Sequence, residues 1–339
     1  MVTQEKIAQK VGLSRQLVSF ALAGYPQVSQ KSRERILAAA HEMGYRPNPH
    51  ARALKRQRTG IIALWIPDQI STHYNHVARE LNRLVKQAQH ELIVSEVGAA
   101  EASEFLSNVP VDGIIAVDAP AQVEAYLKTS AAKTIPIISI GAHYSAMTDC
   151  VRVDLRAGVR EMMAHLIGAG YRRIAHATFV RENQSQADRR LGYVKAIRQA
   201  GLKPEFIYYP LTERQRPVTR RMIQEYVARH GCPEAIFCHS DDAALGIYRG
   251  LCDLGLRMPG EVALAGCDGI EDTEYLEHPL TTLVQPVAAM CATAWQYLGQ
   301  RLARPGLKLQ RAVLPPELVV RESSRRPASA APEAGKNKS

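Results

Sequence analysis

The sequence predicts a small all-α head followed by an α/β body of parallel sheets covered by helices. Residues 1–46 contain three short stretches with apolar residues at helical spacing, whereas from residue 60 short apolar runs alternate with amphipathic stretches. Residues 1–59 carry eleven Lys and Arg against three acidic residues, a net charge of +8 in a chain of net +10. The last nineteen residues carry +3, which leaves residues 60–320 nearly neutral at −1. A basic head on a neutral body is typical of proteins that bind the phosphate backbone of nucleic acids.

Length, apolar runs and cysteines narrow the class of protein. A chain of 339 residues suits two or three compact units. No apolar run approaches the roughly 20 residues of a membrane span, and the first residues lack the apolar segment of a signal peptide. We therefore expect a cytoplasmic protein. The six cysteines form no C-x-x-C pair, so we expect reduced thiols and neither a metal nor a cofactor.

The head contains a helix-turn-helix pattern. Thr3 can cap a first short helix, Gly12 ends it, and Ser14 can cap a second helix over residues 15–22. A third helix is predicted over residues 30–43. Its predicted buried face consists of Ile36, Leu37, Ala40 and Met43.

The next segment, YRPNPHARALKRQRTG, predicts a conditional helix. Asn48 is a good N-cap and Pro49 suits the first helical position, so a helix of at most two turns can run to residue 57. So short a helix is marginal alone in water, because nucleation is costly. We expect it to form only when it docks against another surface.

Beyond residue 60 the pattern predicts two subdomains rather than one large sheet, because about ten strand candidates alternate with helices. Strands are predicted at 61–66, 92–97, 113–117, 136–140, 173–178, 235–238 and 262–266, and helices at 76–90, 156–169, 188–200, 220–229 and 242–254. Ligands in such sheets bind beyond the carboxyl ends of the strands. No phosphate-binding glycine motif and no G-x-S-x-G elbow is present, so nothing predicts an enzyme.

Several stretches resemble the lactose-repressor (LacI/GalR) family of bacterial regulators. In the head these are TQEKIAQKVGLSRQLVSFAL and YRPNPHARAL. In the body they are VRVDLRAGVREMMAHLIGAGYRRIAHAT, DRRLGYVKAIRQAGL, SDDAALGIYRGLCDLGLRMPGEVALAGCDG and PLTTLVQP. They occur in the order that the family has, so the resemblance covers about residues 2–323.

This resemblance implies how the head reads DNA. In the family the second helix lies in the major groove, and the linker helix pairs with its dimer mate in the minor groove, where a leucine opens a base step. Arg15 and Gln16 match the base-reading positions and Leu54 matches the leucine. Each good pair of Arg with guanine or Gln with adenine is worth about 1–3 kcal/mol of discrimination. The other candidate DNA contacts are Thr3, Ser14, Ser19, Phe20, Asn48 and Ala51.

Two of the head residues depart from the family pattern. Phe20 stands where an arginine is common, so it either touches a thymine methyl group or packs within the head. Lys6 stands where an acidic residue is usual. These departures leave the operator sequence open.

The resemblance also implies a two-lobed body, similar to periplasmic sugar-binding proteins, that holds a small effector between its lobes. Arg189 matches an effector-contacting arginine and Asp268 a carboxylate at the end of a strand. Alternatives are an ion pair of Arg189 with Asp188 or a phosphate, and a turn-capping role for Asp268. The remaining candidate effector contacts are His73, Tyr74, Ser240 and Asp241, where Tyr74 alternatively belongs to the core and Ser240 replaces a frequent asparagine.

The predicted domains are a head at 1–46, a hinge helix at 47–59 and a body at 60–322. Within the body we assign 60–155 and 286–310 to lobe 1, and 156–284 and 311–322 to lobe 2. Residues 323–339 are rich in Ala, Pro, Ser and Lys and predict a disordered tail. The tail has no leucine heptads, so we expect a dimer rather than a tetramer.

These observations predict a transcriptional regulator, a repressor, that binds a near-palindromic double-stranded operator as a homodimer. Its expected effector is a sugar or sugar derivative, with a purine-class effector as the alternative. A solute-binding protein with the same body is a second candidate, but it should have a signal peptide and no basic head. A sugar kinase with a fused helix-turn-helix is a third, but it should have a phosphate-binding glycine motif.

Overall fold

The computed structural model describes residues 2–22, 24–45, 58–67, 70–96, 109–143, 145–180, 188–211 and 214–326. The chain divides into two compact units, Met1–Thr59 and Gly60–Ser339. The predicted linker helix at residues 49–57 lies outside the described residues. Within the described residues, no helix is both long and apolar enough to cross a membrane.

The first unit is a three-helix head with α1 at Gln4–Val11, α2 at Arg15–Leu22 and α3 at Gln30–Glu42. Both predicted caps are in place. Thr3 Oγ1 accepts the N–H of Lys6 at 3.3 Å, and this bond starts α1. Ser14 Oγ accepts the N–H of Leu17 at 3.2 Å, which satisfies one of the amides that the start of α2 leaves without a helical partner.

All three helices contribute to the core of the head, which includes Ile7, Val18 and Ile36. Leu37 is 47% exposed, so the prediction that it belongs to the buried face of α3 is wrong. Consecutive side chains on a helix point about 100° apart, and the inward position is taken by Ile36.

The second unit consists of two lobes, each built on a six-stranded sheet. Its strands are β1 Ile61–Ile66, β2 Glu91–Glu96, β3 Gly113–Val117, β4 Ile137–Gly141, β5 Asp149–Val153, β6 Ile174–Thr178, β7 Glu205–Tyr208, β8 Ala235–Cys238, β9 Ala263–Asp268, β10 Thr281–Val284, β11 Arg311–Leu314 and β12 Glu317–Val319. Its helices are α4 Thr72–Gln87, α5 Pro120–Leu127, α6 Leu155–Gly168, α7 Asp188–Gln199, α8 Gln215–His230, α9 Asp241–Asp253 and α10 Val287–Ala303.

The strand order is β11-β5-β4-β3-β1-β2 in lobe 1 and β12-β10-β9-β8-β6-β7 in lobe 2. All pairs are parallel except β10 with β12, which is antiparallel. Apolar cores cover both faces: in β1, Leu64 packs with α4 and α10, while Trp65 packs with Tyr126 of α5. Parallel sheets place the carboxyl ends of neighbouring strands at one edge, and that edge carries the site described below.

The chain crosses between the lobes after β5, after β10 and after β11. Strand β11 pairs in parallel with β5, with Arg311 opposite Cys150, so it belongs to the sheet of lobe 1. The assignment of residues 311–322 to lobe 2 is therefore wrong for β11 and holds only from β12 onward. A four-residue strand can pair with either sheet, and its sequence alone carries no sign of which one it joins.

The start of the predicted disordered tail is also corrected, because residues 323–326 are ordered against lobe 2. Ser323 and Ser324 are buried; Ser323 Oγ donates to the Leu264 carbonyl at 2.6 Å, and Ser324 Oγ lies 2.7 Å from His165 Nε2. Arg326 donates to the Gly170 carbonyl at 2.6 Å. These backbone-directed hydrogen bonds offset the polar composition of the segment. Residues 327–339 lie outside the described residues.

Candidate functional site

The start of α2 carries the predicted base-reading residues. The side chains of Arg15 and Gln16 are exposed in its first turn, and Ser19 is half-buried one turn later. The opposite face of α2 is anchored in the core of the head through Val18 and Ala21. Residues three and four apart share a helix face, so Arg15, Gln16 and Ser19 together form the surface that α2 presents outward.

Three other predicted DNA contacts have roles inside the head. Thr3 and Ser14 are exposed, and each caps a helix. The half-buried Phe20 ring lies 5.3 Å from the ring of Tyr25, which favours the packing alternative for Phe20. The predicted hinge contacts Asn48, Ala51 and Leu54 lie outside the described residues.

A charged group lies at the carboxyl end of β9 in lobe 2. Arg189, in the first turn of α7, donates through Nη2 to Asp268 Oδ1 at 3.1 Å. Gln285 Nε2 donates to the same oxygen at 2.8 Å. The side chains of Arg189 and Asp268 are only 13% and 6% exposed, so this pair differs from the surface ion pair with Asp188 that was its alternative.

A second carboxylate, Asp118, occupies the matching place in lobe 1, directly after β3. Its Oδ1 accepts the Ala142 N–H at 2.7 Å and lies 3.2 Å from His143 Nδ1. Asp118 has φ +45° and Asp268 has φ +132°, backbone conformations that non-glycine residues rarely adopt. Such strain persists where the surrounding structure imposes it, and it clusters at functional sites.

The charge of Arg189 in lobe 2 acts on Asp118 in lobe 1. Burial acts to raise the pKa of Asp118, but the hydrogen bond and charge of His143 and the charge of Arg189 hold it below its ordinary value. The hydrogen bond to Asp118 raises the pKa of His143 above 6.5, and the charge of Asp188 acts in the same direction. Arg189 of lobe 2 acts in the opposite direction on the pKa of His143, so charges of lobe 2 contribute to the electrostatics of this lobe 1 pair.

Some buried polar atoms at the cleft have no protein partner among the described residues. Both ring nitrogens of His73 and Oε1 of Gln285 are buried without a hydrogen bond. His73 lies in the first turn of α4, on its buried face. Native structures leave few buried polar groups unsatisfied, so these atoms are candidates for ligand contacts.

The other predicted effector contacts are occupied within the protein. Tyr74 is half-buried and packs against the core of the body. Ser240 Oγ caps α9 by accepting the Ala243 N–H at 3.2 Å and donates to Gln215 Oε1 at 3.2 Å. The interior of the protein thus uses the hydroxyl group of Ser240 for structural hydrogen bonds.

The structure gives Asp241 a set of protein hydrogen bonds, while its role as an effector contact stays a prediction. It is fully buried, and it accepts the N–H groups of Gly269 at 2.7 Å and Ile270 at 3.0 Å. Its other oxygen accepts the hydroxyl of Thr282 at 2.7 Å. Because these donors occupy the carboxylate, it ties α9 to the turn after β9 and to β10.

Polar contacts also join the lobes beside the cleft. Thr72 of lobe 1 donates its N–H and its hydroxyl to Asp242 of lobe 2, each at 3.0 Å, and Arg216 bonds to both residues. Arg152 of β5 pairs with Asp188 of α7 at 3.0 Å. Any change in the relative orientation of the lobes must rearrange these contacts.

Two sequence families match the chain. Residues 3–48, which contain α2, match the family described as bacterial regulatory proteins, lacI family. Residues 163–324 match the periplasmic binding protein-like domain. The chain therefore combines a lacI-family DNA-binding head with a periplasmic binding protein-like domain.

Relatives of this lacI-family regulator match it from end to end. The ribose operon repressor of Haemophilus influenzae is 28% identical over 331 residues, which are 95% of this chain and 98% of the relative. The solved structure of the transcriptional regulator CelR in complex with cellobiose is 25% identical, with a TM-score of 0.66 over 95% of this chain and 100% of that one. The lac repressor dimer bound to operator and the anti-inducer ONPF, at 23% identity, shares the fold with a TM-score of 0.80 over 95% of this chain and 99% of that one. The chain is thus a DNA-binding transcriptional regulator.

Sequence reasoning missed the lobe 1 half of the cleft of this lacI-family regulator. Asp118 directly follows β3, and His143 is the second residue after β4, the neighbour of β3 in the sheet. Polar residues after two adjacent parallel strands are a usable signal, because the carboxyl ends of such strands meet at one edge. Gln285 was missed likewise, although it directly follows β10, the neighbour of β9.

Proposed function

We propose that this regulator is a homodimeric repressor whose affinity for a near-palindromic operator is set by a small effector, a sugar or sugar derivative, bound between its lobes. The observation that carries the effector site is the buried group of Arg189, Asp268 and Gln285, which faces Asp118 and His143 across the cleft.

The chemistry of this group suits hydroxyl groups. A hydroxyl group both donates and accepts a hydrogen bond. The cleft contains both kinds of partner, since the guanidinium group of Arg189 donates and the carboxylates of Asp268 and Asp118 accept. The ring nitrogens of His73, which are buried without a hydrogen-bond partner among the described residues, offer further polar contacts. A few directed polar groups in a largely buried cleft are typical of small-molecule sites. The relatives support the same class, since one is named for a ribose operon and another is solved with cellobiose.

The proposed homodimer follows from how such a head docks. One α2 reads one half-site, so two heads related by a twofold axis require two half-sites in inverted order. Effector binding would change the orientation of the lobes, and with it the contacts of Thr72 with Asp242 and of Arg152 with Asp188. Coupling of this kind typically changes affinity by about 1–3 kcal/mol.

The experiment that tests the proposed function is retention of fragmented genomic DNA by the purified full chain at low ionic strength, with and without candidate sugars. We expect specific fragments to be retained, to be released with rising salt, and to respond to one sugar class. Failure to retain any fragment under all these conditions would contradict the proposal.

We expect Gln16→Ala to weaken binding to the selected operator by about 1–3 kcal/mol, or about 5- to 150-fold, because a bidentate contact to a base edge is lost. Binding to unrelated duplex DNA and the dependence of affinity on salt should stay unchanged, because no charge is removed. Fluorescence anisotropy with both duplexes measures the two effects.

The matched control for this prediction is Gln9→Ala, which removes another exposed glutamine of the head from α1. It should leave operator affinity within about twofold of wild type, as surface changes away from a contact usually do. Equal losses for the two variants would remove Gln16 from the base-reading surface.

We expect Asp268→Asn to reduce effector affinity about 10- to 100-fold, because hydrogen bonds to a charged group are each worth about 1.5–3 kcal/mol. Operator binding without effector should remain, since Asp268 lies in the body and not in the head. The measurement is calorimetry with the sugar that stabilises the wild type most in a thermal-shift screen. Asp253→Asn, at the far end of α9, is the matched control, and effector affinity equal to wild type in the Asp268 variant would contradict the assignment.

A further inference from the structure

A corner of lobe 1 is built to hold the ring of His143. Gly141 has φ +114°, and a Cβ atom there would lie 2.4 Å from Asp118 Oδ1, the oxygen that binds His143. Only glycine leaves room for the carboxylate in this place. The bond to Asp118 uses Nδ1 of His143, so Nε2, on the other side of the ring, points away from Asp118.

The ring of His143 lies at the cleft rather than in the core. Its side chain is 56% exposed, and it interacts electrostatically with Arg189, Asp188 and His239 of lobe 2. Burial and the charge of Arg189 lower the pKa of His239 far below 6.5, so His239 is neutral. His143, whose pKa is raised by its hydrogen bond to Asp118, thus lies beside charged groups of lobe 2, and Nε2 has no hydrogen-bond partner among the described residues.

The described charged groups that act on His143 are Asp118 of its own lobe and Arg189 and Asp188 of lobe 2. Among the described residues, Asp118 is the one hydrogen-bond partner of the His143 ring. Closing the lobes over a neutral ligand would remove water from an imidazolium that has one partner, which is costly, whereas an anionic group would supply the second partner.

We propose that His143, positioned by Asp118, donates through Nε2 to a carboxylate of the effector, which is therefore a sugar acid rather than a neutral sugar. This inference rests on the proposed function, because it names the class of effector for the same cleft. A charge-assisted hydrogen bond of this kind is about twice as strong as a neutral one and gives the acid its advantage.

The test uses the full chain and matched sets of probes at equal concentration. The sets are galactose, galacturonate and galactose 6-phosphate; glucose, glucuronate and glucose 6-phosphate; and ribose, ribonate and ribose 5-phosphate. Thermal shift identifies the set that binds, and calorimetry gives the affinities. We expect an acid to bind at least 10-fold more tightly than its neutral counterpart and more tightly than the phosphate.

Variants of His143 and Asp118 separate recognition of the acid from a general loss of folding or binding. His143→Gln keeps a neutral donor and should abolish the preference for the acid, so that the acid and its neutral counterpart bind with similar affinity. His230→Gln, which removes an exposed histidine at the end of α8, is the matched control and should bind like wild type. Asp118→Asn removes the partner that favours the imidazolium, so affinity for the acid should fall at pH 7 and recover at lower pH.

The pH profile supplies an independent readout. The raised pKa of His143 means that its imidazolium persists above pH 6.5, so affinity for the acid should be full at low pH and fall up to tenfold per unit as the pH rises through that pKa. Affinity for the neutral sugar should not follow this profile.

The outcomes separate the two proposals. If a neutral sugar or a phosphate binds as tightly as the acid, or if His143→Gln keeps the preference, the acid is ruled out while the sugar-class effector stands. If none of the nine compounds raises the Tm, the sugar-class effector fails and the inference fails with it.

Discussion

Replacing Asp241 with alanine is expected to lower the unfolding free energy of the body by about 3–5 kcal/mol. The substitution leaves the buried N–H groups of Gly269 and Ile270 and the hydroxyl of Thr282 without an acceptor, and each unsatisfied group costs about 1–3 kcal/mol. Burial and the charge of Asp268 raise the pKa of Asp241 to about 7, so removal of this carboxyl group offsets part of that cost. Urea unfolding followed by tryptophan fluorescence measures the loss, because both tryptophans, Trp65 and Trp295, lie in the body.

The matched control is Asp253→Ala, at the other end of the same helix. Asp253 pairs with Arg220 and Arg249, whose side chains are 49% and 66% exposed, so its loss should destabilise the body much less than the loss of Asp241. Asp241→Asn keeps one acceptor oxygen and should fall between the two. Similar losses in both alanine variants would show that Asp241 does not tie α9 to the neighbouring turn.

Lowering the pH from 7 to 5 is expected to destabilise the body by about 4 kcal/mol through His176 and His239 alone. Burial lowers the pKa of His176 to about 3 and that of His239 far below 6.5, so both stay neutral in the folded state. The unfolded chain binds protons at these residues below about pH 6.5, which favours unfolding as the pH falls. Each histidine then contributes about 1.4 kcal/mol per pH unit.

His176→Phe isolates this effect from the other titrating groups. His176 is stacked on Phe237, with ring centroids 4.9 Å apart, so an aromatic replacement keeps much of the packing. Urea unfolding at pH 7 and pH 5 should show about 2 kcal/mol less acid destabilisation in the variant than in the wild type. Identical pH dependence in the two proteins would mean that His176 is protonated in the folded state.

Elements that depend on neighbouring residues were predictable from the sequence. Helix α2 and strands β3 and β8 have the predicted bounds, because apolar periodicity and caps act over a few residues. The resemblance likewise indicated Arg189 and Asp268, which the structure brings into contact at 3.1 Å. Family motifs carry such information because they preserve a long-range pairing that no local pattern encodes.

Contacts between residues distant in the chain were decided only by the tertiary structure. Asp118 and His143 lie 25 residues apart and meet because β3 and β4 are neighbours in the sheet. Asp241 belongs to the same motif as Ser240, and the approach of Gly269 and Thr282 gives it a set of protein hydrogen bonds. Strand β11 pairs with the sheet of lobe 1, and residues 323–326 pack against lobe 2. The composition of these two segments did not indicate either position.

The sequence by itself therefore determined the basic head and the alternating body, since charge and periodicity are properties of the chain, and its motifs indicated the family by resemblance. The tertiary structure decided which polar groups face the cleft and which form hydrogen bonds inside the lobes. The physical reason is that a buried polar side chain bonds to whatever the strand order places beside it, and strand order is a property of the whole fold.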